Sequence, residues 1–163
     1  MPAACFQPCL ECRDNPDGPL CRGADGRRDL ARIARGYLRQ GHPEAIDHDI
    51  AFDCAFSMLH DDIDTTLAFI FTASDLCEND EQRAYLGAGT LESLLVNAGP
   101  AVIDRVLDRA RRDPAFRRVL SGVWGHSAMD KTVRARIDAL LAPPVFKTPA
   151  PKPGQRNRPH RRR

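Results

Sequence analysis

Rings are scarce in this 163-residue chain: seven phenylalanines, two tyrosines and one tryptophan bring the aromatic share to 6%. Modules that read nucleic acid by stacking bases on interleaved aromatics need a denser supply, and none of their motifs occurs. Long apolar runs are missing too; nothing approaches the roughly 18 to 20 residues that span a bilayer. Residues 1–20 lack the basic start and apolar stretch of a secretory signal. These absences predict a cytoplasmic protein with no membrane contact and with its thiols reduced. No Gly-Lys-Ser/Thr triplet and no Gly-x-Ser-x-Gly occurs, which removes the P-loop and the nucleophile elbow. No segment keeps the strict alternation of a half-buried strand.

One absence is local. Residues 42–82 contain no lysine or arginine against eleven acidic side chains, whereas residues 100–138 carry nine basic and five acidic groups and residues 139–163 carry seven basic and none acidic. The net charge of +2 hides this segregation. A fold must either bring the opposite blocks together or present them to partners.

What is present is helical periodicity. Leu30, Ile33, Ala34, Tyr37 and Leu38 make one stripe, with Asp29 as its cap and Gly41 as its end. Ile50, Cys54, Ala55, Met58 and Leu59 make the next, widened by Phe52 and Phe56, with Asp49, Asp53 and His60 on the polar side. Thr65 to Cys77 is apolar nearly all round and reads as a central helix capped by Asp64. Leu91, Leu94, Leu95 and Ala98 run to Gly99, and Pro100 opens a separate helix with Val102, Ile103, Val106, Leu107 and Ala110 inside. Asp113-Pro114 starts a helix whose core face is Phe116, Val119, Leu120, Val123 and Trp124. Asp130 caps a last helix with Val133, Ile137, Leu140 and Leu141 inside, stopped by Pro143-Pro144.

The expected fold is all-α: a compact multi-helix bundle, or a small antiparallel helical-pair array, over residues 28–142. It is flanked by a Cys/Pro/Gly-rich extension at 1–27 and a Pro-rich basic tail at 143–163, both too poor in apolar surface to order themselves.

The stretch YLGAGTLESLL, Tyr85–Leu95, sets Gly87 and Gly89 just before an apolar run, as nucleotide loops do. A dinucleotide fingerprint needs a third glycine where Glu92 stands and a strand where Glu81–Leu86 has helical composition. A carboxylate in the first turn would also repel a phosphate. The reading is a structural turn: Gly87 ends one helix in the left-handed region, Gly89 or Thr90 begins the next, and Glu92 covers the first-turn amides.

GAGTLESLLVNAGPAVIDRVLDRARRDPAFRRVLSGVW, from Gly87 to Trp124, resembles an uncharacterised bacterial family of small all-helical domains. That family shows a Gly-Ala-Gly-Pro-Leu-Glu-Asp-Leu-Leu-like turn, an Ile-Asp helix, then Asp-Pro-x-Phe-Arg and Val-Trp, much as Ile103-Asp104, Asp113–Arg117 and Val123-Trp124 stand here. Thr90 and Ser93 depart from its Pro and Asp. The resemblance extends to residues 48–142 and implies a helical fold; it implies no catalytic residue and no cofactor.

Three constellations bear chemistry. Cys5, Cys9 and Cys12 have the C-x3-C-x2-C count of radical iron–sulfur enzymes, which need a β/α barrel this chain is too short to build. Cys5, Cys9, Cys12 and Cys21 also make a four-thiolate zinc set, although only one Cys-x2-Cys knuckle is present. Cys54 and Cys77 read as small core residues. Ser57–Ile63, SMLHDDI, looks like the core of the helical His-Asp phosphohydrolases, with His42 or His48 upstream, His60 and Asp61 as the pair, and Asp104 or Asp108 as the distant carboxylate. Asp62 interrupts that motif, and Asp64-Thr65 replaces its Gly-Lys. Arg105, Arg109, Arg112, Arg117 and Arg118, with Arg156, Arg158 and Arg161–Arg163 in the tail, suit nonspecific nucleic-acid contact. With no complete catalytic set, the leading expectation is a non-enzymatic interaction module without cofactor. It would pair its acidic surface with a basic protein partner, in loose analogy with small immunity or antitoxin proteins.

Overall fold

A computed structural model gives the architecture and describes residues 22, 27–43, 45–125 and 128–142, apart from the side chain of Asp61. The four N-terminal cysteines and the tail therefore lie outside the described residues. Among the described residues the chain is helical and has no strand, only an isolated antiparallel bridge between Arg22 and Arg28.

Helix α1, Leu30–Tyr37, starts where the Asp29 carboxylate accepts the Arg32 N–H at 3.0 Å. It ends four residues before the expected Gly41. Arg39 takes the left-handed region at φ 55°, so the Leu38 and Arg39 N–H groups turn back onto the Ala34 and Gly36 carbonyls at 2.9 and 3.0 Å. Helix α2, His48–Asp61, begins at Asp47, which accepts the Asp49 N–H at 2.9 Å. Helix α3, Ile63–Leu76, is capped by Asp62 rather than Asp64: the Asp62 carboxylate takes the Asp64 N–H at 2.9 Å and the Thr65 hydroxyl at 2.5 Å. Asp64 instead faces Arg105, at 2.5 Å.

Helix α3 is the hub. It packs against α1 and α2 and against every later element introduced below except the last, and it buries Thr66, Leu67, Phe69, Ile70, Ala73 and Ser74. An apolar face on all sides lets one helix serve several neighbours.

Asn79 caps α4, Asp80–Leu86, by accepting the Gln82 N–H at 2.9 Å. The chain then passes through a five-residue π-turn, Gly87–Leu91, straight into α5, Glu92–Arg112. The expected junction at Gly99-Pro100 is present as a kink within α5, one residue earlier, at Ala98. The backbone leaves helical geometry there (φ −137°, ψ 20°), so Pro100 stands in the first turn of the second half, where its missing N–H has no ladder partner to lose. At Gly99 a Cβ would meet Val133 Cγ2 at 3.1 Å.

Asp113 ends α5 and caps α6, Pro114–Ser121, through the Ala115 and Phe116 N–H groups at 2.9 and 3.2 Å. Asp130 does the same for α7, Lys131–Leu141, through Thr132 and Val133 at 2.8 and 3.1 Å. The segment Asp80–Arg112 is long and apolar enough to cross a membrane, but half of its most apolar stretch is buried within the fold. Phe116, Val119, Leu120 and Val123 are in the core. Trp124, expected beside them, is 77% exposed, because α6 ends at Ser121 and its stripe goes no further.

Candidate functional site

The π-turn is held by what lies under it. Tyr37, the last residue of α1, has its ring buried, and its hydroxyl accepts the Thr90 N–H at 3.4 Å and the Thr90 hydroxyl at 3.1 Å. Burial pushes the phenol pKa up, and the Thr90 contacts offset this only in part. Gly89 lies directly over that hydroxyl, and a Cβ there would collide with it. Gly87 is pressed against α6, where a Cβ would run into the Val119 carbonyl and come within 3.0 Å of Gly122 Cα.

The glycine pair is thus a close-packing device as well as a corner, with the kink between two helices at Gly89. Gly87 ends α4 as expected, but in right-handed geometry (φ −64°, ψ −52°) rather than left-handed, and Gly89 leaves helical geometry (φ −101°, ψ −107°). Glu92 covers no first-turn amide. Its carboxylate reaches across to the Trp124 and Gly125 N–H groups at 2.6 and 2.7 Å. Sites of function often use a π-turn, since the wider coil re-aims backbone groups and side chains.

Beside this turn, α2 carries four rings at four-residue spacing: His48, Phe52, Phe56 and His60. Spacing of four places them in one row on the helix surface, about 18 Å from end to end at 1.5 Å per residue. Phe52 lies parallel to the Tyr37 ring at 6.3 Å, His48 contacts Tyr85 at 6.1 Å, and His60 meets Phe56 edge to face at 4.8 Å. Phe52 and Phe56 stay 47% and 54% exposed, so they do not widen the buried stripe as expected. Their row faces outward.

A small cleft of about 70 Å³ separates Phe52, Phe56 and Leu59 from Gly89, Thr90 and Ser93. A larger one, about 330 Å³, opens on the other side of Tyr37 between Leu38, Arg39, Asn79, Gln82 and Tyr85. Arg39 Nη2 lies 3.2 Å from His48 Nε2, while His48 Nδ1 faces the Gly36 carbonyl at 3.3 Å.

The segregated charges meet in an ordered way. Acids of α3 take the arginines of α5: Asp64 with Arg105, and Asp75 with Arg109. Arg109 also binds Asp113 at 2.9 Å and lies over the Phe71 and Phe116 rings at 5.4 and 6.0 Å. Asp80 holds Arg83 at 2.8 Å and Arg118 at 3.6 Å. Asp108 takes Arg111 and Arg112, and Arg117 donates to the Leu140 carbonyl. The basic face expected to meet nucleic acid is therefore largely neutralised by the protein's own acceptors. On α2 the outcome differs: no described cation forms an ion pair with Asp49 or Asp53.

Among the described residues the phosphohydrolase set does not converge, and the side chain of Asp61 lies outside them. His60 borders an open hollow of about 500 Å³ with Leu59, Asp62, Ile63, Asp64, Ala101 and Arg105. Asp104 is engaged elsewhere, by Arg136 of α7 at 2.6 Å, and Asp108 is paired as above. His48 sits three turns away from His60 on the same helix. Among the described residues no three His, Cys, Asp or Glu side chains approach closely enough to hold a metal ion. Cys54 and Cys77 are buried, and burial pushes the Cys77 thiol up to about 11, which leaves it protonated and unreactive at neutral pH.

Sequence reasoning missed the role of Tyr37, which reads as one more apolar position, and the outward turn of Phe52 and Phe56. The signal for the second was available: aromatic rings at 48, 52, 56 and 60 form a row of their own, offset from the buried row of Ala51, Cys54, Ala55 and Met58.

No curated protein and no solved structure matches the chain. A family model, described as a family of unknown function, DUF6869, matches residues 40–144, which take in α2 through α7 with the ring row, the π-turn and Glu92. The chain belongs to that family.

Proposed function

We propose that this domain is a non-enzymatic protein–protein interaction module of the bacterial cytoplasm, which binds a basic protein partner on its acidic side. Small immunity and antitoxin proteins offer a loose analogy. The supporting observation is the uneven pairing of charge: the α3 acids have arginine partners from α5, and Asp49 and Asp53 of α2 have none among the described residues. Two carboxylates at i and i+4 repel by about 0.2–0.5 kcal/mol in an isolated helix. A basic partner removes that penalty and gains the long-range attraction of the α2 carboxylates.

The reading needs no metal, cofactor or membrane. Affinity capture from the native host, followed by reconstitution with the purified candidate, tests it. The expected result is a stoichiometric complex with a basic protein whose affinity drops between about 0.1 M and about 1 M salt, where the Debye length shrinks from about 10 Å to about 3 Å. A captured partner that is acidic, or whose affinity ignores salt, overturns it.

A further inference from the structure

We infer that the α2 face recognises arginine, and that the occupant is an arginine-bearing segment of the basic partner. The inference rests on the interaction reading above and adds the surface and the chemistry. Two features coincide on this helix. Phe52 and Phe56 expose about half of their surface in a row between His48 and His60, and Asp49 and Asp53 follow His48 and Phe52 by one residue, so the carboxylates flank the ring row along its length.

Rings beside carboxylates suit a guanidinium better than an ammonium. The planar guanidinium lies flat on a ring face while its edge N–H groups reach a carboxylate in the same plane. The protein already does this internally: Arg109 covers the Phe71 and Phe116 rings and binds Asp75 and Asp113 at the same time. On α2 rings and acids again neighbour one another on the helix surface, and no described cation pairs with these acids. The cleft between Phe52, Phe56 and the Gly89–Ser93 wall takes the aliphatic stem of such a side chain.

Folding does not require these rings to be exposed. Phe52 and Phe56 occupy positions where a polar residue would complete an ordinary amphipathic helix, with Ala51, Cys54, Ala55 and Met58 already supplying the buried side. Their retention on the outside, next to unpaired acids, is what a docking surface needs.

The test uses the full chain and two fluorescein-labelled peptides of glycine and serine, one bearing arginines and one bearing lysines at the same positions, read by anisotropy. The arginine peptide is expected to bind several-fold more tightly than the lysine peptide. Phe52→Ser/Phe56→Ser should weaken the arginine peptide by about tenfold, and Asp49→Asn/Asp53→Asn should weaken both peptides and flatten their salt dependence. Phe56→Ser alone, at a ring that makes no contact with Tyr37, guards against a folding defect, with melting temperature and circular dichroism unchanged.

Equal affinity for the two peptides overturns the arginine assignment. Binding that survives the ring variants but falls in the carboxylate variant overturns the surface and leaves the basic-partner reading standing. Failure of both peptides to bind while a basic host protein does has the same effect. A dimer in sedimentation that the ring variants dissociate would give the face to a second copy of the chain and overturn the proposal outright.

Discussion

Glu92 holds Trp124 by its backbone: one carboxylate oxygen accepts the Trp124 N–H at 2.6 Å and the Gly125 N–H at 2.7 Å, linking the start of α5 to the segment that leaves α6. Charge-assisted bonds of this kind contribute about 1.5–3 kcal/mol each when shielded, and the exposure of Trp124 argues for the lower end. Glu92→Ala is expected to cost about 1–2 kcal/mol, and Glu92→Gln, which keeps an acceptor without the charge, less. Urea unfolding checks this. If both variants match wild type, the contact is ornamental.

The single tryptophan gives a second measurement. At 77% exposure, Trp124→Ala should change stability by no more than about 0.5 kcal/mol, whereas Phe116→Ala, at a fully buried ring packed edge to face on Phe71 at 5.2 Å, should cost about 3–5 kcal/mol. In the native protein iodide should quench the Trp124 emission readily. Poor quenching, or a large loss in Trp124→Ala, would put the indole back in the core.

Tyr37 and Gly89 make a testable pair. Tyr37→Phe leaves the Thr90 N–H and hydroxyl without their acceptor and should cost about 1–3 kcal/mol. Gly89→Ala drives a methyl into the Tyr37 hydroxyl and should cost a similar amount by overpacking. Together the two should cost less than their sum by more than about 0.5 kcal/mol, since removing the oxygen makes room for the methyl. Strict additivity in a double-mutant cycle would show that the glycine is not there for the tyrosine.

Much of this architecture could be read directly from spacing. Asp29, Asp113 and Asp130 stand at the helix starts where their side chains predict them, and the buried stripes of α1, α3 and α5 follow the apolar period. Local chemistry decides such features, so local sequence reveals them. Gly87 misled as to its conformation because two different constraints select the same residue: a left-handed turn and a close backbone approach both forbid a side chain. At Gly87 the approaching group is the Val119 carbonyl, some thirty positions away in sequence, which no local pattern encodes. Pro100 did mark a junction: the backbone kinks at Ala98, and α7 packs against it where Val133 meets Gly99. The outward ring row of α2 leaves a signal in its four-residue spacing, but the exposure of Phe52 and Phe56 depends on which side of α2 the α1 and α3 helices cover.

Acid sensitivity should centre on two caps. Burial pushes the Asp113 carboxyl up, but the Phe116 and Ala115 N–H groups and the Arg109 guanidinium outweigh it and hold its pKa below the usual carboxylate value. At Asp62 the Thr65 hydroxyl is the largest influence and, with the Asp64 N–H, it overcomes burial in the same direction. A folded pKa below the unfolded value of about 3.9 means that the stabilisation is fully present above that value and disappears as the pH falls through the folded pKa. The urea midpoint should therefore hold between about pH 7 and about pH 5 and drop steeply below about pH 4. Asp113→Asn keeps an oxygen to cap α6 but cannot titrate, so its midpoint should start lower at neutral pH and fall less on acidification. A variant that loses as much as wild type between those limits would place the acid-labile group elsewhere.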